Sequence, residues 1–242
     1  MIILSFSQEL IQAAQPYLTA NEHHPFIQAV INDQLDTKAL HYYIQQDLRY
    51  ADAETVVQAN LVAKSTTIED QRLFANQLST HLGTVNELFK SLTENTADSW
   101  GNQRYQPIEP VTFIYRSHIL APIAQGSLLD LLAPFEAGNW LYIELGKYLA
   151  ATGKVQPDNA FYSWVTAVQD PHLAGENGIS NRFLQVIDRE AANTNAEQLE
   201  VVKQQFLRSV LLEWYFWDAA YKQLTWADWE RHALGTDGGD LL

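Results

Sequence analysis

Apolar residues recur at helical spacing through most of this 242-residue chain. FSQELIQAAQPYL forms the first amphipathic segment, for which Ser7 is the expected N-cap region. HHPFIQAVINDQ forms the second, where Pro25 suits a helix start. Alternating apolar runs bounded by tight-turn dipeptides, which would predict strands, are nearly absent. The pattern therefore predicts an all-α chain.

Long helices joined by short connections predict one domain, spanning residues 1–242 and built as a helical bundle. TADSWGNQRYQPIEP, at about 95–109, is polar with Gly and Pro and is the predicted main loop. Its length is typical of a lid or an interaction loop, and a domain boundary is the alternative, although the composition does not change after it. GTDGGDLL, at about 234–242, is the expected frayed tail. The remaining helices are predicted at about 36–64, 67–94, 110–122, 126–151, 159–169, 172–192, 196–223 and 225–233.

The charge of the chain excludes several classes of function. Its 29 acidic residues outnumber 15 Lys and Arg, for a net charge of -14, which argues against binding to nucleic acids or anionic membranes. No apolar run approaches the roughly 20 residues that cross a bilayer, and MIILSFSQEL lacks the features of a secretory signal. We therefore expect a soluble, cytoplasmic protein.

The residue types also limit the chemistry. With no cysteine, the chain has neither thiolate metal ligands nor a cysteine nucleophile. The histidines lack metal-ligand spacing, and no Glu-x-x-His pair of the di-iron bundle type occurs. We therefore expect no metal and no cofactor.

Three segments combine aromatic rings with carboxylates, namely HYYIQQDLRY, EAGNWLYIELGKYL and LLEWYFWDAAY. On a helix, Tyr43, Asp47 and Tyr50 share one face, and Glu213 heads a similar face with aromatic residues three and four positions later. Rings of this kind stack on a planar heterocycle, while a carboxylate accepts hydrogen bonds from its nitrogens. Aromatic stripes are also typical of an ordinary core. The residues alone thus predict a helical protein with a candidate aromatic and acidic pocket.

In their order, these motifs resemble those of the TenA/thiaminase II (TENA/THI-4) family. HPFIQAVINDQLDTKALHYYIQQDLRY resembles its N-terminal signature, NWLYIELGKYL its Trp-x-Tyr-x-Glu-Ile-Gly segment, and FLRSVLLEWYFWDAAY its C-terminal signature. The resemblance implies the helical bundle that the family shares with haem oxygenases. It also implies an aminopyrimidine or thiamin-related small-molecule ligand, and self-association into tetramers or dimers.

The resemblance further implies roles for five residues. Asp47 stands where the family has the carboxylate that holds the aminopyrimidine nitrogens, and Tyr50 where it has the aromatic residue stacking nearby. Tyr115 and Tyr142 match tyrosines that line the pocket. Glu213 matches the glutamate that serves as general acid and base, a role that suits a carboxyl group whose pKa is raised in an apolar pocket.

At Gly138 the sequence departs from the larger branch of the family. That branch has a cysteine nucleophile four residues before the pocket tyrosine, whereas here the position is glycine, so covalent chemistry of that kind is not available. The chain thus resembles the cysteine-free branch, in which carboxylates activate water. We expect Gly138 itself to face the ligand. Glu136 and Glu144 are candidate replacements, although the offset of Glu136 turns it away from Gly138 and Glu144 is more consistent with a structural role.

Three functions follow from this reasoning. The first is a hydrolase of aminopyrimidine compounds in thiamin salvage or degradation, acting on a formylated or aminomethylated pyrimidine rather than on thiamin. The second is a non-catalytic pyrimidine- or thiamin-binding or regulatory protein with the same pocket. The third is a haem- or quinone-related member of the wider fold. The haem oxygenases of this wider fold use a histidine near the N-terminus as a haem ligand. The His-Pro-Phe context of His24 instead predicts that its side chain caps a helix or packs in the core.

Overall fold

The computed structural model of the protein describes residues 4–94 and 99–235, which form helices and contain no β-strand. This confirms the predicted all-α class. The helices of this described part are α1 (Phe6–Glu22), α2 (Pro25–Ile31), α3 (Thr37–Lys64), α4 (Ile68–Glu94), α5 (Trp100–Arg104), α6 (Pro110–Leu120), α7 (Pro122–Gln125), α8 (Leu128–Ala151), α9 (Tyr162–Val168), α10 (Pro171–Ala174), α11 (Ile179–Ala191), α12 (Ala196–Lys222) and α13 (Trp226–Ala233).

The start of α1 corrects the predicted cap. Ser5, not Ser7, is the N-cap, because Gln8 lies three residues after Ser5 and completes a capping box with it. Ser7 is buried in the first turn instead, where its backbone N–H and its hydroxyl both donate to the Asp188 carboxylate, at 2.7 and 2.9 Å. The hydroxyl of Ser7 thus ties α1 to α11.

The start of α2 settles the place of His24. Its Nδ1 accepts a hydrogen bond from the backbone N–H of Phe26 at 3.0 Å, so the ring caps the helix that Pro25 opens. The ring also packs edge-on against Trp214, with the ring centres 4.8 Å apart. The prediction of a capping and packing role is confirmed.

Two further predictions need correction. The segment predicted as one helix at 172–192 is broken between α10 and α11, where Gly175 and Gly178 make close backbone turns. The predicted main loop at about 95–109 contains α5, whose first turn is capped by the Ser99 hydroxyl accepting from the Asn102 N–H at 3.3 Å. Residues 95–98 of that loop and residues 236–242 of the predicted tail lie outside the described residues.

The centre of the bundle is α8, whose surroundings explain its composition. It packs against α1, α3, α6, α9, α11 and α12, so most of its faces are buried and most of its residues are apolar. Its most extensive partner is α12, while α3 packs mainly on α4 and also touches α8 and α12. The three helices that carry the aromatic and acidic segments therefore meet inside the bundle. None of the helices within residues 4–94 and 99–235 is long and apolar enough to cross a membrane.

Candidate active site

A cavity of about 490 Å³ opens where α3, α4, α8 and α12 meet, with residues 164–179 at its rim. Its lining includes five of the six residues that the sequence singled out, namely Asp47, Tyr50, Gly138, Tyr142 and Glu213. Tyr115 of α6 is buried behind this lining, where its hydroxyl supports Glu213. The structure thus brings all six residues together around one cavity.

Glu213 lies on α12 with only 2% of its surface exposed. The Tyr115 hydroxyl donates a hydrogen bond to its Oε1 at 2.7 Å. Burial raises the pKa of Glu213 well above its usual range, the Tyr115 bond acts in the opposite direction, and the nearby carboxyl of Asp47 raises the pKa further. The site therefore favours a Glu213 that holds a proton.

Gly138 brings the backbone of α8 close to this pair. A Cβ atom at this position would lie 3.2 Å from Glu213 Oε1, 3.4 Å from the Tyr115 hydroxyl and 3.7 Å from the Tyr50 hydroxyl. Three polar oxygens thus converge on the place where any other residue would put its side chain. The expectation that position 138 lies in the pocket agrees with this geometry.

Asp47 lines the cavity from α3 and is 7% exposed. Burial raises its pKa to about 7, the hydroxyl of Tyr43 lowers it, and the charge of Glu54 raises it. The Tyr43 hydroxyl makes no hydrogen bond of standard geometry with the described residues. The Asp47 carboxylate is thus left available to a ligand.

Aromatic rings form the walls around these acids. Tyr142 stacks on Trp217 with ring centres 5.6 Å apart and an interplanar angle of 29°, and it also packs on Trp164 at 5.2 Å. On the other side, the rings of Tyr50 and Tyr115 are 4.5 Å apart. A flat ligand between these walls meets ring faces and two carboxyl groups.

The sequence reasoning missed Glu54, which lines the same cavity. It lies on α3 seven residues after Asp47, two helical turns away on the same face, and this spacing was a usable signal. Burial raises the pKa of Glu54 to about 7. From α4, His81 also lines the cavity, with its Nε2 3.1 Å from the Thr55 hydroxyl, and burial lowers its pKa.

The two candidate replacements for the cysteine lie elsewhere. Glu136 is fully buried on another side of α8, where the Ser180 hydroxyl and Asn139 Nδ2 donate hydrogen bonds to it, the latter at 3.1 Å. Burial raises its pKa to about 8. Glu144 forms an ion pair with Lys147 at 2.7 Å. Neither lines the cavity, so the expectation that Glu136 points away from Gly138 is confirmed.

The donor set of the cavity does not resemble a metal centre. Within the part of the chain that the structure describes, no group of three or more His, Asp and Glu side chains is arranged to hold a metal ion. The chemistry available here is that of carboxyl groups, phenolic hydroxyls and aromatic faces.

Comparison with known proteins places this arrangement in a family. The aminopyrimidine aminohydrolase of Halalkalibacterium halodurans is 26% identical over 226 residues, covering 92% of this chain and 98% of the relative. The fold matches that of a TenA homologue from P. horikoshii OT3, with a TM-score of 0.79 at 16% identity over 90% of this chain and 99% of that one. It also matches a Shewanella denitrificans OS217 chain with a haem oxygenase-like fold, with a TM-score of 0.65 at 12% identity over 100% of both chains.

These likenesses confirm the predicted TenA-like and haem-oxygenase-like helical bundle. The model of the TENA/THI-4/PQQC family matches residues 11–223, which is most of the chain and includes every residue of the candidate site. This protein therefore belongs to the TENA/THI-4/PQQC family.

Proposed function

We propose that this protein hydrolyses aminopyrimidine compounds of thiamin salvage or degradation without a cysteine nucleophile. The observation that carries the proposal is one aromatic-walled cavity in which a buried, proton-holding Glu213 lies near the carboxylate of Asp47. The activity in the name of the Halalkalibacterium halodurans relative supports the same reaction class.

Binding in this proposal depends on Asp47 and the aromatic walls. The carboxylate of Asp47 accepts hydrogen bonds from the exocyclic amine and ring nitrogens, while Tyr142 and Tyr50 pack against the ring. A cavity of about 490 Å³ is large enough for a pyrimidine with a substituent. The substrate class we favour is a pyrimidine that bears an aminomethyl group, free or formylated.

The chemical step then needs one group that exchanges protons. Glu213 donates its proton to the leaving nitrogen as the bond from the methylene carbon to that nitrogen breaks, and the bonding electrons go to the nitrogen. A water molecule beside Gly138 forms the new carbon–oxygen bond and returns a proton to Glu213. The products are the hydroxymethylpyrimidine and the released amine or formamide, so atoms and charges balance. The hydroxyl of Tyr115 holds Glu213 in place for both transfers.

Turnover of an aminomethylpyrimidine and its N-formyl derivative by the wild-type protein and by Glu213→Gln tests this proposal. We expect Glu213→Gln to keep its affinity and to lose about 10²-fold or more in kcat, because the amide keeps the shape but has no acidic proton. Asp47→Asn should instead weaken binding by roughly 10- to 150-fold, the range for a charge-assisted hydrogen bond. Calorimetry measures the affinities, and release of the amine or formamide measures the rates.

Different failures of this experiment have different meanings. Binding without turnover by the wild-type protein would favour the non-catalytic alternative. Wild-type rates in Glu213→Gln would place the acid–base group elsewhere. Self-association into dimers or tetramers stays a prediction from the resemblance, and a cytoplasmic location stays a prediction from the sequence. Light scattering of the purified protein checks the first.

A further inference from the structure

The cavity continues beyond the acids that the proposed reaction uses. Glu54 lies seven residues after Asp47 on α3, so about 10 Å further along the helix axis. Around it α4 supplies a polar wall, which consists of Gln77, Thr80, His81 and Thr84. A single pyrimidine ring held at Asp47 does not extend over two helical turns, so this outer half of the cavity is free for another part of a ligand.

Tyr50 relates the outer half of the cavity, at Glu54, to the inner half, at Asp47. It lies between Asp47 and Glu54 on α3, and its hydroxyl is 3.7 Å from the Cβ position of Gly138, where the proposed reaction occurs. Its pKa is raised by burial and then by the charges of Glu54, Glu213 and Asp47. In the arrangement proposed below, a substrate whose pyrimidine is held at Asp47 and reacts beside Gly138 points its leaving group toward Glu54.

The charge of the cavity is unbalanced. Four acidic residues line it, Asp47, Glu54, Asp170 and Glu213, while the described residues that line it include no lysine or arginine. Burial lowers the pKa of His81, so this ring supplies no positive charge at neutral pH. For Glu54, burial alone sets the raised pKa, with no cation or hydrogen bond from the described residues to offset it. Glu54 is partly buried, and an acid in such a place without a partner costs free energy that a cationic ligand recovers.

We propose that Glu54 forms a cation subsite for the leaving group, so that the protein selects aminopyrimidines whose released part carries a positive charge. The inference rests on the proposed function, because it takes the direction of the substrate from the roles of Asp47 and Glu213. Glu54 touches the leaving group in this arrangement and takes no part in the proton transfers. It determines specificity.

A matched pair of substrates isolates the charge. Both are amides at the aminomethyl nitrogen of the pyrimidine, one ending in a trimethylammonium group and the other in a tert-butyl group of the same shape. The leaving nitrogen is uncharged in both, so the reacting bond is the same. We expect the wild-type protein to bind the cationic amide about 10-fold or more tightly than the neutral one. Glu54→Gln should abolish this preference, and the control Glu144→Gln, outside the cavity, should keep it.

Calorimetry with both amides and turnover of the simple N-formyl compound separate the inference from the proposed function. The subsite is overturned if the wild-type protein does not prefer the cationic amide to the neutral one, or if Glu54→Gln keeps that preference. Failure to bind either amide while the N-formyl compound is hydrolysed overturns it too and leaves the hydrolase standing. The protein could also prefer the cationic amide, lose this preference in Glu54→Gln and yet hydrolyse neither the two amides nor the N-formyl compound. This result supports the subsite and refutes the hydrolase.

Discussion

At the scale of single residues, Gly138 decides which nucleophile the site can use. Its lack of a side chain lets the oxygens of Glu213, Tyr115 and Tyr50 converge within 3.2–3.7 Å of one point. A water molecule bound in the cavity beside Gly138 would find hydrogen-bonding partners among these oxygens, one of which accepts its proton in the proposed reaction. In that reaction, the glycine that excludes a cysteine nucleophile also leaves the position open for direct attack by water.

Gly138→Cys tests whether this point faces the ligand. The chain has no cysteine of its own, so any thiol that reacts is the introduced one. We expect iodoacetamide to modify the variant and an aminopyrimidine to slow the modification. Little thiaminase activity should appear, because an unassisted thiol has a pKa of about 8.5 and is mostly protonated at neutral pH. Mass spectrometry of the alkylated protein, with and without ligand, measures the rates.

The matched control for this experiment is Gly101→Cys. Gly101 is exposed on α5, and a Cβ atom there would meet nothing within 4 Å. Its thiol should react quickly and without protection by the ligand. Equal rates for Gly138→Cys with and without ligand would remove Gly138 from the site and with it the proposed position of the water.

How far the sequence could predict individual site residues depends on what places them. Helical spacing is enough to put Asp47 and Tyr50 on one face, and the resemblance located Tyr142 and Glu213 on two other helices. Glu54 shares the face of Asp47 and follows Tyr50 by one helical turn, but it lies beyond the acid between two aromatic rings that marked this face. Whether it meets a cavity or solvent depends on how α4 lies against α3, and the local pattern of residues does not contain that information.

At the scale of helices, α12 ends with a residue in an unfavourable conformation. Gln223 has φ 56° and ψ 46°, the left-handed region that favours glycine. Replacement by glycine removes a steric cost of about 1–2 kcal/mol, partly offset by the greater freedom of glycine in the unfolded chain. We expect Gln223→Gly to stabilise the protein by about 0.5–1 kcal/mol, as measured by thermal or urea unfolding.

The control for this prediction is Gln223→Ala, which removes the same side chain but keeps the Cβ atom. It should give no gain in stability, because alanine in the left-handed region bears the same steric cost. Turnover should be unchanged in both variants, since Gln223 does not line the cavity. A gain of the same size in Gln223→Ala would show that the backbone conformation is not the cause.

The break between α10 and α11 illustrates what helical periodicity cannot predict. The sequence predicts one helix at 172–192, with Leu173 before the break and Ile179 and Phe183 after it. A Cβ atom at Gly175 would collide with the carbonyl oxygen of Pro171, and one at Gly178 would come within 2.6 Å of that of Leu173. The chain turns sharply there and places Leu173 and Ile179 on the cavity rim. Periodicity registers which residues are buried, not whether the backbone between them stays helical.

At the scale of the whole molecule, the site is costly for the folded state. Besides Glu22, burial raises the pKa of four acidic residues in the bundle, to about 7 for Asp47 and Glu54, about 8 for Glu136 and well above the usual range for Glu213. The formal net charge of -14 counts every acidic residue as ionised, so each of these acids that loses its proton moves the chain toward that value and adds to its self-repulsion. The burial of these acids thus reduces stability at higher pH.

This cost predicts how stability depends on pH. An acid whose pKa is higher in the folded state binds more protons there than in the unfolded chain, so stability falls as pH rises toward the folded pKa. Between pH 6.5 and 8 each excess proton lowers the free energy of unfolding by about 1.4 kcal/mol per pH unit. The histidines His24, His81 and His118, whose pKa burial lowers, oppose this, but mainly below pH 6.5, where the unfolded chain binds their protons. We therefore expect the Tm to fall from pH 6.5 to 8. The fall should occur in a single transition, since we propose that the helices form one domain.

The variant Glu54→Gln should show a smaller fall in Tm, because it lacks one of the four acids. Calorimetric scans at both pH values measure this, and a Tm that is constant or rises would contradict the protonation of the site described here.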